Sequence, residues 1–109
     1  MILLQIEIGK YVVEWDDNKA ATNFIKHGLK FSTAAKVFLD ENRYTEVDEL
    51  HSWDEIRYKT VGYVGKVLTV IYTERGANFR IISARKAVEQ ERRNYYGQNR
   101  YLSRNEIDT

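Results

Sequence analysis

Cysteine is missing from the sequence altogether, which excludes a disulfide scaffold, a thiolate metal site and cysteine nucleophile chemistry. The absence fits a reducing, cytoplasmic setting without requiring one. Proline is missing too, and no low-complexity stretch or solenoid-length repeat marks a linker or an array. No apolar run is long enough to span a bilayer, and the start Met1–Glu7 lacks the basic residues and small-residue cleavage site of a signal peptide. The expectation is therefore neither a leader nor a membrane anchor. Histidine is scarce: His27 and His51 stand 24 positions apart, with no second histidine at ligand spacing, so no catalytic metal and no other cofactor is expected. Walker and GxGxxG glycine spacings are absent as well, which removes the usual support for nucleotide hydrolysis.

What is present is a compact, aromatic-rich composition. Apolar residues make up 43% of the 109 and charged residues 30%, with eight Tyr, four Phe and two Trp. This predicts one small globular domain over 1–109, with a core of about 11–96 and a polar tail over 98–109. The net charge of +1 hides an uneven distribution. Residues 1–56 hold six Lys or Arg against eleven Asp or Glu, and residues 57–109 hold eleven against five. A basic face on one half is what a phosphate backbone requires; a merely solvated surface reads equally well from charge alone.

The apolar pattern predicts an α+β chain. Leu4, Ile6 and Ile8 alternate with polar residues, and Tyr11, Val13 and Trp15 follow Gly9-Lys10, so the chain opens as a hairpin or two short strands. A helix is expected from about Asn18 to His27, capped by Asp16 or Asp17 and stopped by Gly28. A second short helix, capped by Ser32, carries Ala34, Ala35, Phe38 and Leu39. Residues 40–56 read as an acidic, irregular connection with one short strand near Tyr44–Glu46. Arg57–Tyr63, Lys66–Thr73 and Asn78–Ala84 then read as three antiparallel strands in a meander. A last helix is expected from Arg85 to Tyr96, capped by Ser83.

The basic residues of this region form the strongest candidate constellation. A two-residue turn at Val64-Gly65 would set Arg57 opposite Tyr72, and a three-residue loop at Arg75–Ala77 would set Tyr72 opposite Arg80. One face would then present Arg57, Tyr72 and Arg80 in a row. A two-residue second loop sends Arg80 to the other face instead, because a one-residue slip inverts every side chain. Such a row suits RNA cleavage without a metal: the reaction needs a base at the 2′-hydroxyl, a cation over the phosphorus-bound charge and an acid for the leaving oxygen. Arg85 and Lys86 at a helix start would add donors. Plainer readings stand beside this one. Arg and Lys on strand faces are mostly solvated, His27 reads first as a helix C-terminal side chain, and Trp15 as a core anchor. Trp53 fits either a core or an exposed contact.

Several blocks of residues resemble the BrnT family of toxins. They are Trp15-Asp16, Asn18-Lys19-Ala20, Asn23, Lys26-His27-Gly28, Phe31, Ala34-Ala35, Val37-Phe38 and Asp40, followed by Tyr72–Gly76, Arg80–Ala87 and Glu91-Arg92. The resemblance spans about residues 11–96; Met1–Lys10 has no assigned counterpart. It implies a RelE-like α/β fold and a ribonuclease that arrests translation, paired with a BrnA-like ribbon–helix–helix antitoxin through which alone the toxin reaches operator DNA. Carried over by position, the catalytic candidates are Arg57, Glu74, Arg80, Arg85 and Lys86, with Tyr72, while Lys59, Arg75, Lys26 and His27 are candidates for RNA contact. Arg57 and Arg80 would bind the phosphate, Glu74 or Lys86 would take the 2′-hydroxyl proton, and Tyr72 or Arg85 would assist the leaving group. Two other classes stay open: a non-catalytic nucleic-acid or partner-binding module acting as a co-repressor, and a purely structural interaction protein.

Overall fold

The computed structural model describes residues 1–98. The polar tail expected from residue 98 lies, from residue 99 onward, outside the described residues. The opening alternation forms β1 (Leu3–Ile8) and β2 (Tyr11–Asp16). Their register pairs Leu4 with Trp15, Ile6 with Val13 and Ile8 with Tyr11, which gathers the larger apolar side chains on one face. At Asp16 the backbone is still extended, and its carboxylate accepts the Asn18 N–H at 3.0 Å, an N-cap that starts α1 (Asp17–His27). Gly28, at φ 66°, ends it by donating its N–H to the Phe24 carbonyl at 2.7 Å.

The next helix starts earlier than the sequence suggests. α2 runs Phe31–Ala34, with Lys30 rather than Ser32 at the cap position and no side-chain cap bond. Burial of Phe31 edge-on against Trp15 brings the chain into its helical turn before Ser32 is reached. A 3₁₀ turn, Ala35–Leu39, continues it. The acidic connection holds one strand, β3 (Tyr44–Val47), followed by a single 3₁₀ turn, Glu49–His51.

β4 (Arg57–Tyr63), β5 (Val67–Arg75) and β6 (Asn78–Lys86) form the expected antiparallel meander, but inside a larger sheet. Six strands are ordered β1-β2-β6-β5-β4-β3, and β2 meets β6 in parallel through Val13↔Phe79 and Glu14↔Arg80. The opening hairpin thus closes one edge of the meander and β3 the other. Both turns differ from expectation by one residue. Tyr63 pairs with Val67 across Val64–Lys66, and Arg75 pairs with Asn78 across Gly76-Ala77. Arg57 therefore faces Thr73, which faces Arg80, while Tyr72 faces Tyr58 and Ile81. A bulge beside Ile71/Tyr72 then restores Ala84 to the buried face.

β6 also runs further than expected, up to a Leu68↔Lys86 pair. Ser83, Arg85 and Lys86 are strand residues, so Ser83 caps no helix and neither cation sits at a helix start. The last helix, α3, begins at Glu89 and reaches Gln98. The extension depends on Asn23. Beyond Arg80, β6 has lost β2 as a neighbour, and the Asn23 side chain substitutes for the missing strand. It donates to the Ala84 carbonyl at 2.9 Å and accepts the Ala84 N–H at 3.1 Å, with a further 3.3 Å bond to the Leu29 carbonyl. A buried edge that would otherwise be unsatisfied is paired by one amide.

The two faces of the sheet have different jobs. α1, α2 and the first 3₁₀ turn cover one face, where Val13, Trp15, Phe31, Phe38, Leu68, Val70, Tyr72 and Ile81 form the core. Tyr11, Phe38, Tyr72 and Phe79 pack ring to ring at 4.8–6.1 Å. Gly62 lies on this face too: a Cβ there would come within 2.5 Å of Val37 Cγ2, so the 3₁₀ turn sits directly on the β4 backbone. On the opposite, open face α3 covers only one end, seating Tyr95 on Val61 and Val67. No helix among the described residues is long and apolar enough to cross a membrane. Replacing Asn23 by Ala leaves both Ala84 groups unpaired and is expected to lower stability by about 3 kcal/mol. A shifted urea midpoint at unchanged slope is the check, and Asn23→Asp, which cannot donate to either carbonyl, should also destabilise.

Candidate active-site groove on the open face

Because side chains alternate, Arg57, Lys59, Ile71, Thr73, Arg80 and Arg85 all project from the open face. The uncovered part of that face forms a groove of about 980 Å³, floored by Arg57, Lys59, Ile71, Ser83 and Arg85. Its wall is the end of β3 and the turn that follows, from Glu46 to His51. A smaller hollow of about 110 Å³ adjoins it along Thr73, Arg75 and Arg80.

The cations here are mostly neutralised, and the pattern is specific. Glu91 of α3 is buried, and it accepts two bonds from Arg85, at 2.7 and 3.1 Å, and one from Thr69 Oγ1 at 2.8 Å. It also accepts the Val88 N–H at 2.9 Å, the return half of a capping box, and pairs with Lys59 at 3.2 Å. Burial acts to raise the Glu91 pKa, but the Arg85, Val88 and Thr69 hydrogen bonds and the Arg85 charge outweigh it and hold the carboxyl at about 2. Lys59 is bridged on its other side by Glu46 at 3.0 Å; burial works against its charge, and the two carboxylates more than offset this, raising its pKa.

Arg80 is spoken for in the same way. Its Nε and Nη2 reach one oxygen of Glu14 at 2.8 and 2.6 Å, while Asn78 donates to the other at 3.0 Å. Burial alone would raise the Glu14 pKa; the Asn78 and Arg80 bonds and the Arg80 charge bring it below its ordinary value. Arg75 pairs with Glu55 at 2.8 Å. Arg57 is different. Its side chain makes no ion pair or hydrogen bond among the described residues, and its Nε is buried without an acceptor. Among the described residues it is the groove's unneutralised guanidinium, a permanent forked donor.

Beside it stands a group that the sequence reading passed over. His51 Nδ1 lies 2.9 Å from Asp48 Oδ2 in the groove wall. Two hydrogen bonds tie this turn to Arg57, and a third closes the turn on itself. The Asp48 N–H donates to the Arg57 carbonyl at 2.8 Å, the Arg57 N–H to Ser52 Oγ at 2.9 Å, and Ser52 Oγ to the Asp48 carbonyl at 2.6 Å. The available signal was the i, i+3 spacing of Asp48 and His51 shortly before Arg57, hidden in a stretch with neither period. Among the described residues, no group of three or more His, Asp or Glu is placed to hold a metal ion.

The remaining candidates are dispersed. Arg57, Lys59, Arg80, Arg85 and Arg75 share the open face. Tyr72 is buried in the aromatic cluster on the other face, where burial is the main cause of its raised pKa. Glu74 follows it on that side; its hydrogen bond to Tyr58, ahead of burial, raises the pKa of that tyrosine. Lys86 is exposed at the end of β6 on the Leu68 side. Lys26 and His27 end α1 and border a separate shallow hollow that touches the groove only through Ile82 and Ser83. Trp15 is the expected core anchor, and Trp53 is 88% exposed.

Residues 15–91 match the family model described as the ribonuclease toxin, BrnT, of a type II toxin–antitoxin system. The chain belongs to the BrnT family. Among solved structures, the 1.1 Å crystal structure of the Brucella abortus ribonuclease toxin BrnT is similar to it, at a TM-score of 0.52 and 29% identity over 69% of this chain and 94% of that one. No curated protein matches. The BrnT match starts at Trp15, so β1 and most of β2 precede it, and it ends on Glu91, the carboxylate around which the groove's charges are arranged.

Glu91 gives the fold an acid sensitivity with a definite sign. Its folded pKa of about 2 lies below the ordinary 4.5, so its stabilisation is complete above pH 4.5 and is lost as pH falls toward 2. The shift corresponds to about 3 kcal/mol. Glu91→Gln should lower stability at neutral pH by roughly that amount or less and flatten the stability–pH curve between these limits, as measured by urea unfolding at a series of pH values.

Proposed function

We propose that this BrnT-family chain is an endoribonuclease that cleaves RNA at the open-face groove and thereby arrests translation and growth. The observation that carries the reading is Arg57: a guanidinium without an ion pair or hydrogen bond among the described residues, set in a concave surface among cations whose charges are already balanced. An RNA phosphate supplies an acceptor for the terminal Nη groups, which have none among the described residues. It would take two forked hydrogen bonds from Arg57, and these strengthen as negative charge builds on the phosphorus oxygens in the transition state. The fixed cation fills the charge-stabilising role that a metal ion fills in other nucleases, so the reaction is proposed to be metal-independent.

The surrounding residues fit subsidiary roles. Lys59 and Arg85, held in place by Glu91, line the groove where flanking phosphates would run, and Arg75 and Arg80 extend the basic track along the adjoining hollow. Tyr72 and Glu74, across the sheet, carry no role in this reading, nor do Lys86, Lys26 and His27. We further propose the rest of the family's pattern for this chain. It acts as one domain in the cytoplasm, adopts a RelE-like arrangement, and is neutralised by a BrnA-like ribbon–helix–helix antitoxin that alone brings it to operator DNA.

The test is expression of the chain from a tightly repressed promoter, with growth followed and new RNA 5′ ends mapped. The wild-type chain should stop growth and generate discrete 5′-hydroxyl ends. Arg57→Ala should abolish both while keeping the wild-type far-UV circular dichroism, and Arg57→Lys, which keeps the charge but loses the fork, should recover only a small part. A folded Arg57→Ala protein that still arrests growth contradicts the proposal. Intact RNA beside salt-dependent RNA retention would favour the binding-module reading.

A further inference from the structure

The proposed reaction needs a group that removes a proton from the 2′-hydroxyl, and the cations of the groove do not supply one. Lys59 is clamped between Glu46 and Glu91, which hold it protonated. Arginine does not deprotonate in proteins. We infer that His51, oriented by Asp48, is the general base of this groove, a catalytic residue placed beside Arg57 by the hydrogen bonds that pin its turn to the Arg57 backbone. The inference rests on the reading of the groove as an RNA-cleaving site.

Geometry fixes which nitrogen acts. An ionised carboxylate only accepts hydrogen bonds, so the 2.9 Å contact to Asp48 Oδ2 requires the proton on His51 Nδ1. In the neutral ring Nε2 then carries the lone pair, and it has no partner among the described residues. The ring is 61% exposed, open to a substrate, while the carboxylate behind it is 17% exposed. Asp48 is a positioning residue: it sets the tautomer and stabilises the imidazolium that forms. The charges around the ring are Asp48 and Glu49 on its own turn, Glu46 from β3, Arg57 and Lys59 from β4, and Arg85 from β6.

The step balances without a co-reactant beyond water. Nε2 takes the 2′-hydroxyl proton, the freed 2′-oxygen bonds to phosphorus, and the P–O5′ bond breaks. The departing 5′-oxygen takes a proton from water, and the imidazolium returns its own to solvent. The products are a 2′,3′-cyclic phosphate and a 5′-hydroxyl. Arg57 stabilises the phosphorus-bound charge throughout, and base and cation sit on one hydrogen-bonded unit: the strand start and the turn bonded to it.

The experiment is single-turnover cleavage of total bacterial RNA by the purified full chain, compared with His51→Ala, Asp48→Asn and Arg57→Ala. His51→Ala should slow cleavage by about 100-fold, flatten the acidic limb of the pH–rate profile, and be partly rescued by added imidazole. Asp48→Asn, whose amide can donate to Nδ1 and so favours the wrong tautomer, should also slow cleavage. Imidazole should not rescue Arg57→Ala. A His51→Ala protein that cleaves within about threefold of wild type overturns the assignment, since a general base contributes at least ~100-fold. A slow His51→Ala protein that imidazole leaves slow overturns it equally, by showing a structural role. Wild-type protein that leaves RNA intact would instead remove the ribonuclease reading itself.

Discussion

The Glu91 carboxylate is the interaction on which the rest of the open face depends. It caps α3, accepts from both Nη groups of Arg85, holds Lys59 and receives the Thr69 hydroxyl. One buried anion therefore docks the last helix and sets the charge pattern of the groove. Burying a carboxylate is costly unless it is fully paired, and here each of its partners comes from the sheet or from the start of its own helix. The consequence for function is selective. Arg85 and Lys59 are balanced by Glu91, Arg80 is balanced separately by Glu14, and the Arg57 guanidinium has no ion pair among the described residues.

The fold separates two tasks across a single sheet. One face carries the aromatic core beneath α1 and α2, and its packing is tight enough for Gly62 to be in contact with Val37. The other face is left uncovered except at the α3 end. β6 is central to both, and its length depends on Asn23 replacing a strand that has turned away into α1. Without that side-chain pairing, the stretch that carries Ser83 and Arg85 would have an unpaired edge.

Much of this architecture was legible in the residues. Alternation in Leu4–Ile8 and in residues 57–84 gave the strands; Asp16 and Gly28 gave the limits of α1; Trp15 read as a core anchor. What was hidden depended on the count of turn residues and on tertiary contacts. Each hairpin turn differed by one residue from the expected length, and the two changes acted together. Arg57 and Arg80 still share a face, whereas Tyr72, placed between them in the sequence reading, crosses to the core and Thr73 takes its position. No local pattern marks the parallel β2–β6 contact, since it is made between segments more than sixty positions apart. Ser83 resembles an N-cap in sequence, and only the pairing of Ala84 with Asn23 shows why the strand continues. His51 was overlooked because its turn has no periodicity and because its partner Asp48 belongs to an acidic run that reads as solvated.

The central claim is that RNA phosphate meets the open face at Arg57. The most direct measurement is an amide and arginine side-chain NMR titration with an RNA oligonucleotide whose 2′-hydroxyls are methylated, so that binding proceeds without cleavage. The account predicts a large shift at the Arg57 Nε–H, smaller shifts at Lys59, Ser83 and Arg85, and none at Tyr72, Glu74 or His27. Shifts clustered on Glu74, Lys86 and the end of α1, with Arg57 unmoved, would contradict it.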